Sequence, residues 1–393
     1  MNYEQYLNRR IASVPPSGIR RFFDLASSRK DAISLGVGEP DFKTPYLIRD
    51  AAINSLVDGE TQYTANRGLP ELRQEIAVYL NGRYHLTYDW KTQILVTIGA
   101  SEAIDIALRA LVEEGDEVLV PDPSYVSYAP GVVFAGGTPV PVTTYQKDDF
   151  RLTAESLEAA VTPRSKLLIL PYPNNPTGAI MEKEDLEAVA RVVEKHDLLV
   201  ISDEIYSELI YDGHTHVSFA SLEGMYPRTI TINGFSKAFA MTGWRVGYAC
   251  AAEEIIGVMN KIHQYAIMCA SRQGQVAALA ALRTGRENGY ESILTMRDSY
   301  DRRRRLMVSA FREMGLDCFD PFGAFYVFPS ISRTGLSSEE FCSQLLQEKD
   351  VAAVPGTAFG PSGEGHIRCC YATAIDKINI ALERMAEFVA EHS

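Results

Sequence analysis

The sequence predicts an α/β protein, with a large domain built on a mostly parallel sheet and a smaller α+β domain assembled from both chain ends. Three observations predict it. Short, wholly apolar runs such as Leu167 to Leu170 and Leu198 to Ile201 are what strands require when helices cover both faces of a parallel sheet. These runs alternate with amphipathic helical stretches from Pro45 onward, the order of a βαβ architecture. At 393 residues the chain is also too long for one typical domain and suits two.

The bulk composition narrows the class of partner. Hydrophobic content of 46% and charged content of 23% are those of a soluble globular protein. A net charge of −13 argues against a nucleic acid or an anionic membrane as partner. The one basic run, Arg302 to Arg305, reads as a solvated helix face with ion pairs to nearby acids. The cysteines Cys250, Cys269, Cys318, Cys342, Cys369 and Cys370 show no C-x-x-C spacing, so a reducing compartment and no metal site are expected. The start, MNYEQYLNRRIASVPP, lacks the apolar core of a signal peptide, and no apolar run approaches the ~20 residues of a membrane helix. A cytoplasmic protein is the expectation.

Taken in order, the chain begins with a short helix, Pro15-Pro16, a second helix from about Ser17 to Ser28, and the extended ISLGVGEPDF. Its glycines and Pro40 make a tight turn that either reverses the chain or offers the Gly38 backbone to a ligand carboxylate. Past Pro45 comes a helix, then TQYTANRGLPELRQEIAVYL, with Tyr63 in a loop and Pro70 opening an amphipathic helix. ILVTIGASEAIDIALRAL, EVLVPDPSYVSYAPGVVFAGG, TPVPVTT, KLLILPYPNNPTG and DLLVISDEIY supply alternating strands and helices. Thr229 to Asn233 and Arg245 to Cys250 read as two strands around a turn. Helices dominate after Ala251, including a long one from about Glu287 to Met314. They are joined by the strands GAFYVFP and HIRCCYA, a helix near Ser337 to Gln347 and a C-terminal helix. The expected division is residues 48–285 for the large domain, with 1–47 and 286–393 for the small one.

In such sheets ligands collect beyond the carboxyl ends of the strands, and those positions hold a short set of residues. Gly99-Ala100-Ser101-Glu102 opens a helix and can present amides and a hydroxyl to an anion, or Ser101 can simply cap the helix. No G-x-G-x-x-G is present, which disfavours a dinucleotide. Tyr125 is either a stacking ring or a core aromatic. In PYPNNPTG, Asn175 sits at a strand end, where its amide can face a cleft. Asp203 follows a wholly apolar strand, where a carboxylate is costly unless a cation meets it, and Tyr206 comes next. Lys237 lies in the turn between two strands among Phe235, Phe239, Met241 and Trp244. It is either a loop lysine or an amine desolvated enough to condense with a carbonyl. Arg245 stands eight residues on.

A phosphorylated pyridine aldehyde uses the whole set. Ser101 and Arg245 suit its phosphate, Tyr125 its ring face, Asp203 its ring nitrogen, Asn175 and Tyr206 its ring oxygen, and Lys237 its aldehyde.

GVGEPDF, TQYTANRGLPELR, PYPNNPTG, ISDEIY, NGFSKAFAMTGWRVGY and HIRCCYATA together resemble the signatures of class I/II aminotransferases, over essentially the whole chain. Within that family the chain looks closest to the aromatic and broad-range branch. The resemblance implies fold type I with a mostly parallel seven-stranded sheet, and pyridoxal 5′-phosphate as cofactor. It also implies a ping-pong transfer of an amino group from an L-amino acid to a 2-oxo acid such as 2-oxoglutarate. By the same resemblance Lys237 holds the cofactor and moves a proton, Asp203 pairs with the ring nitrogen, and Asn175 and Tyr206 hold the ring oxygen. Ala100, Ser101 and Arg245 hold the phosphate, helped by Tyr63 from a second subunit, so a homodimer with shared sites is implied. Arg368 clamps the substrate carboxylate, aided by Asn175 and the Gly38 backbone.

Two departures stand out. Many relatives carry a serine where this chain has Gly234, so the missing hydroxyl is assigned to Ser236. Some aspartate-selective relatives carry a lysine at the position of Ser101, which counts here against strict dicarboxylate specificity. Rival readings are a β-lyase or an aspartate aminotransferase on the same fold, a nicotinamide oxidoreductase, and a non-enzymatic regulator. The side-chain pocket is expected near Ile19, the loop after Gly36 and the partner subunit.

Overall fold

A computed structural model describes residues 1, 3–19, 29 and 31–392. Most of the helix expected from Ser17 to Ser28 lies outside the described residues. The chain opens with α1 (Arg9–Ala12), capped by Asn8, whose Oδ1 accepts from the Arg10 and Ile11 amides. Then come β1 (Ile33–Ser34), α2 (Tyr46–Val57) and α3 (Pro70–Tyr84), the last with Pro70 in its first turn.

The central sheet holds seven strands: β2 (Ile94–Thr97), β3 (Glu117–Asp122), β4 (Thr138–Thr143), β5 (Ser165–Leu170), β6 (Leu199–Asp203), β7 (Thr229–Gly234) and β8 (Gly247–Cys250). Their spatial order is β2-β8-β7-β6-β5-β3-β4, and only β8 runs antiparallel to its neighbours. The crossovers are α4 (Gly99–Leu111), α5 (Tyr128–Ala135), α6 (Ala154–Ala160) and α7 (Lys183–Lys195). Both faces are covered, as the apolar runs require. Leu168 and Leu170 pack with Leu186 and Val189 of α7, while Leu167 and Ile169 pack on the opposite face with Ile104 and Leu108 of α4.

Helices α8 (Glu253–Ala266), α9 (Arg272–Asn288) and α10 (Glu291–Glu313) follow. The single helix expected from Glu287 to Met314 is therefore broken near its start, because Gly289 and Tyr290 adopt left-handed φ of 69° and 60°. The basic run also departs from expectation. Arg304 is 2% exposed and donates to Asp301, and Arg303 donates to Asp41 and to the carbonyls of Tyr371 and Thr373. Arg302 and Arg305 are the exposed members of the run, Arg305 at 62% side-chain exposure.

The end of the chain supplies β9 (Tyr326–Val327), α11 (Ser338–Lys349), β10 (Val351–Ala352), β11 (Val354–Pro355), β12 (Ile367–Cys370) and α12 (Ile375–Glu391). β1 pairs in parallel with β10, joining residues near both chain ends, and β11, β12 and β9 form a separate antiparallel sheet. The expected strand GAFYVFP shrinks to its two central residues. Among the described residues, no helix is long and apolar enough to cross a membrane.

Candidate active site

The carboxyl ends of β3, β5 and β6 and the β7–β8 turn open onto one cavity of about 510 Å³. Ala100, Ser101, Tyr125, Asn175, Asp203, Tyr206, Ser236, Lys237, Arg245, Gly38 and Arg368 all line it. Of the expected site residues, Tyr63 alone does not; it is 77% exposed, in the loop before α3.

Lys237 occupies the turn that links β7 to β8, whose ends are held together by the Gly234–Gly247 pairing. Its Nζ donates to the Gly38 carbonyl at 2.7 Å and lies 5.3 Å and 5.7 Å from the ring centroids of Phe325 and Tyr206. Burial pushes its ammonium down to about 8, so an appreciable share of the amine is neutral near neutral pH.

Asp203 ends β6 and is 6% exposed. Burial raises its carboxyl to about 6, opposed by the Tyr128 hydroxyl, which donates to Oδ2 at 2.7 Å, and by the Ile205 amide, which donates to Oδ1 at 3.2 Å. Tyr128 went unrecognised in the sequence. Its signal was the spacing in PSYVSY, which places it three residues after Tyr125 at the start of α5, with the two rings edge to face at 5.5 Å.

The anion-facing corner is built by glycines. A Cβ on Gly247 would stand 2.5 Å from the Ala100 nitrogen, so the start of α4 rests directly on β8. Gly99, at φ 71°, leaves room for the Arg245 guanidinium, which a Cβ there would meet at 2.7 Å. Arg245 itself is left-handed, φ 54°, and precedes β8 instead of belonging to the strand expected from Arg245. Ser101 does not cap the helix. It lies inside its first turn, and Glu102 accepts the Ile98 amide at 2.5 Å. Ala100 and Ser101, in that first turn, line the cavity together with Arg245.

Arg368 is 2% exposed. It donates to Asn175 Oδ1 at 2.8 Å and to the Gly36 carbonyl at 2.6 Å, and it lies between the rings of Tyr326 and Phe359, at 4.4 Å and 4.7 Å. Its buried Nε has no partner. Tyr326 was also missed. Its hydroxyl bonds Tyr206 at 2.9 Å, and a Cβ on Gly38 would lie 2.1 Å from it, which explains the glycine. A second cavity, of about 970 Å³, adjoins the first through Ile19, Ser101, Ile104 and Tyr125, and continues along Val126, Phe134 and Ala358.

A desolvated amine, a buried carboxylate, a guanidinium beside helix amides and a second, buried guanidinium in one cleft define a site for an enzyme acting on a carboxylate substrate through a carbonyl cofactor. The sequence profile described as Aminotransferase class I and II matches residues 30–385. The chain is 51% identical over 98% of both chains to the putative aminotransferase YugH of Bacillus subtilis. It is 48% identical, again over 98% of both, to an aspartate aminotransferase of Pyrococcus abyssi. The solved aromatic aminotransferase of Pyrococcus horikoshii superposes with a TM-score of 0.90 at 48% identity, covering 94% of this chain and 99% of that one. The chain belongs to the class I and II aminotransferases. It is a transaminase that depends on pyridoxal phosphate. The residues present fit that cofactor: the Gly99 and Gly247 cradle leaves helix amides beside Arg245, and Asp203 is a buried carboxylate whose bonds in the protein come from neutral donors.

Proposed function

We propose that this aminotransferase prefers aromatic or a broad range of L-amino acids as donors and uses 2-oxoglutarate as acceptor. The observation that carries it is the lining of the second cavity. Around Ile19, Val126, Phe134 and Ala358 it is apolar, and its described lining residues include no lysine or arginine to meet a distal carboxylate. The aspartate reading, favoured by the Pyrococcus abyssi relative, finds no such cation among the described lining residues.

In this reading Lys237 Nζ would hold the cofactor at its aldehyde carbon and would carry the proton from the substrate α-carbon. Asp203, oriented by Tyr128, keeps the ring nitrogen protonated. Asn175 and Tyr206 hold the ring oxygen, and Tyr125 covers the ring face. The Ala100 and Ser101 amides, Ser236 and Arg245 bind the phosphate, with Tyr63 of a second subunit. Arg368 takes the substrate carboxylate in a fork, with Asn175 and the Gly38 backbone. Bound there, pyridoxal phosphate supplies the electrophilic aldehyde and a ring that takes up an electron pair.

The exposed Tyr46, Leu47, Ile53, Leu56, Val57 and Tyr63 support a homodimer. The free state of all the cysteines supports a cytoplasmic setting, and the net charge of −13 supports small-molecule partners over nucleic acid. We also propose that residues 48–285 form the cofactor domain and that 1–47 with 286–393 form the smaller one.

The test is a half-reaction screen that follows the cofactor absorbance with phenylalanine, tyrosine and aspartate. Aromatic donors are expected to exceed aspartate in kcat/KM. A clear preference for aspartate contradicts the donor assignment, and no conversion with any amino acid contradicts transamination.

A further inference from the structure

We infer that Asp122 is a positioning residue for Arg368. The inference rests on the proposed role of Arg368 as carboxylate clamp. Asp122 ends β3, is 7% exposed, and does not line the cavity that holds the site. Its Oδ2 accepts from the Ser362 hydroxyl at 2.8 Å and from the Ser362 amide at 3.3 Å. Its Oδ1 is buried and has no partner. An unpaired buried carboxylate oxygen is costly, so the group is not there to gain stability for the strand alone.

The loop 356–363 that it holds crosses directly over it. Gly360 adopts φ 133°, and a Cβ there would stand 1.8 Å from Oδ1. Two residues further along from Asp122, the Ser124 amide donates to the Phe359 carbonyl at 3.0 Å. The end of β3 therefore grips the loop at Phe359 and at Ser362, on either side of Gly360. Phe359 is one of the two rings enclosing the Arg368 guanidinium, at 4.7 Å. Asp122 acts on the clamp through that ring: release of Ser362 frees the loop, the ring recedes, and Arg368 loses one wall of its slot.

The experiment compares Asp122→Ala, Asp122→Asn and Ser362→Ala with Arg368→Leu in the cofactor-loaded enzyme, using 3-phenylpropionate as a competitive probe of the carboxylate subsite. Asp122→Ala is expected to raise the inhibition constant and the KM for phenylalanine by about tenfold, the worth of a hydrogen bond to a charged group. The cofactor spectrum and kcat are expected to change far less. Asp122→Asn keeps an acceptor for Ser362 and is expected to recover most of the loss, and Ser362→Ala to show a smaller rise in the same direction. An unchanged inhibition constant in Asp122→Ala beside a large rise in Arg368→Leu overturns the inference and leaves the clamp standing. No rise in Arg368→Leu overturns the clamp and the inference with it. Should Asp122→Ala fail to fold, an unchanged constant in Ser362→Ala overturns the inference.

Discussion

Lys237 and Asp203 are two buried ionisable groups displaced in opposite directions by the same cause, loss of water. In the cofactor-free protein the Lys237 ammonium titrates near 8 against an ordinary 10.5. The unfolded chain binds the extra proton between those values, so this group's contribution to stability rises with pH across that window. Reaction with an amine-directed reagent should accordingly quicken with pH with its midpoint near 8; a midpoint at 10.5 would mean the amine is solvated. Asp203, raised from 3.8 to about 6, holds a proton the unfolded chain has lost, so its contribution falls as pH rises between those values. Tyr128 restrains that rise. Tyr128→Phe should push the carboxyl above 6 and lower kcat/KM by about tenfold or more, the effect of deleting one hydrogen bond to a charged group. Carboxyl titration by NMR checks the first effect and steady-state kinetics the second. That Asn175, Asp203 and Lys237 line one cavity was legible in the sequence because each lies at or just beyond the end of an apolar strand. Tyr128 and Tyr326 were not, since an aromatic residue that orients another group looks like a core aromatic until its partner is placed.

The elements that matter most are β8 and the start of α4. Their contact depends on Gly247, where any side chain meets the Ala100 nitrogen. Gly247→Ala should displace the helix start and weaken cofactor binding by at least about tenfold, as expected when a well-packed backbone contact is forced apart. Fluorescence titration of the cofactor-free protein measures this, and unchanged affinity would show that the helix amides are not the binding surface. The parallel sheet was readable from its uniformly apolar strands, and α7 from its clean periodicity. Element ends were less so. Arg245 reads as strand from its β-branched and aromatic successors, yet its left-handed backbone turns it toward Gly99, a consequence of tertiary packing with no local signal. The basic run on α10 misled for the same reason. Four successive arginines look solvated, while the partners of Arg303, at Asp41, Tyr371 and Thr373, lie far away in sequence.

At the scale of the molecule, one chain supplies every proposed group except Tyr63, which is exposed away from the cavity. If a second copy brings it, mixing two impaired variants, Lys237→Ala and Tyr63→Ala, should restore activity. Hybrid dimers would then hold one site with both residues intact. No recovery after subunit exchange would contradict a shared site. The change of texture between the end segments and the middle was legible in the sequence, but the pairing of β1 with β10 was not, since register between distant short strands leaves no periodic trace. The proposed function depends most on Lys237 as the residue that holds the cofactor. Borohydride reduction of the cofactor-loaded protein, followed by peptide mass spectrometry, tests this most directly. The predicted result is a single permanently labelled lysine, Lys237; a label on any other lysine, or none in an active preparation, would contradict it.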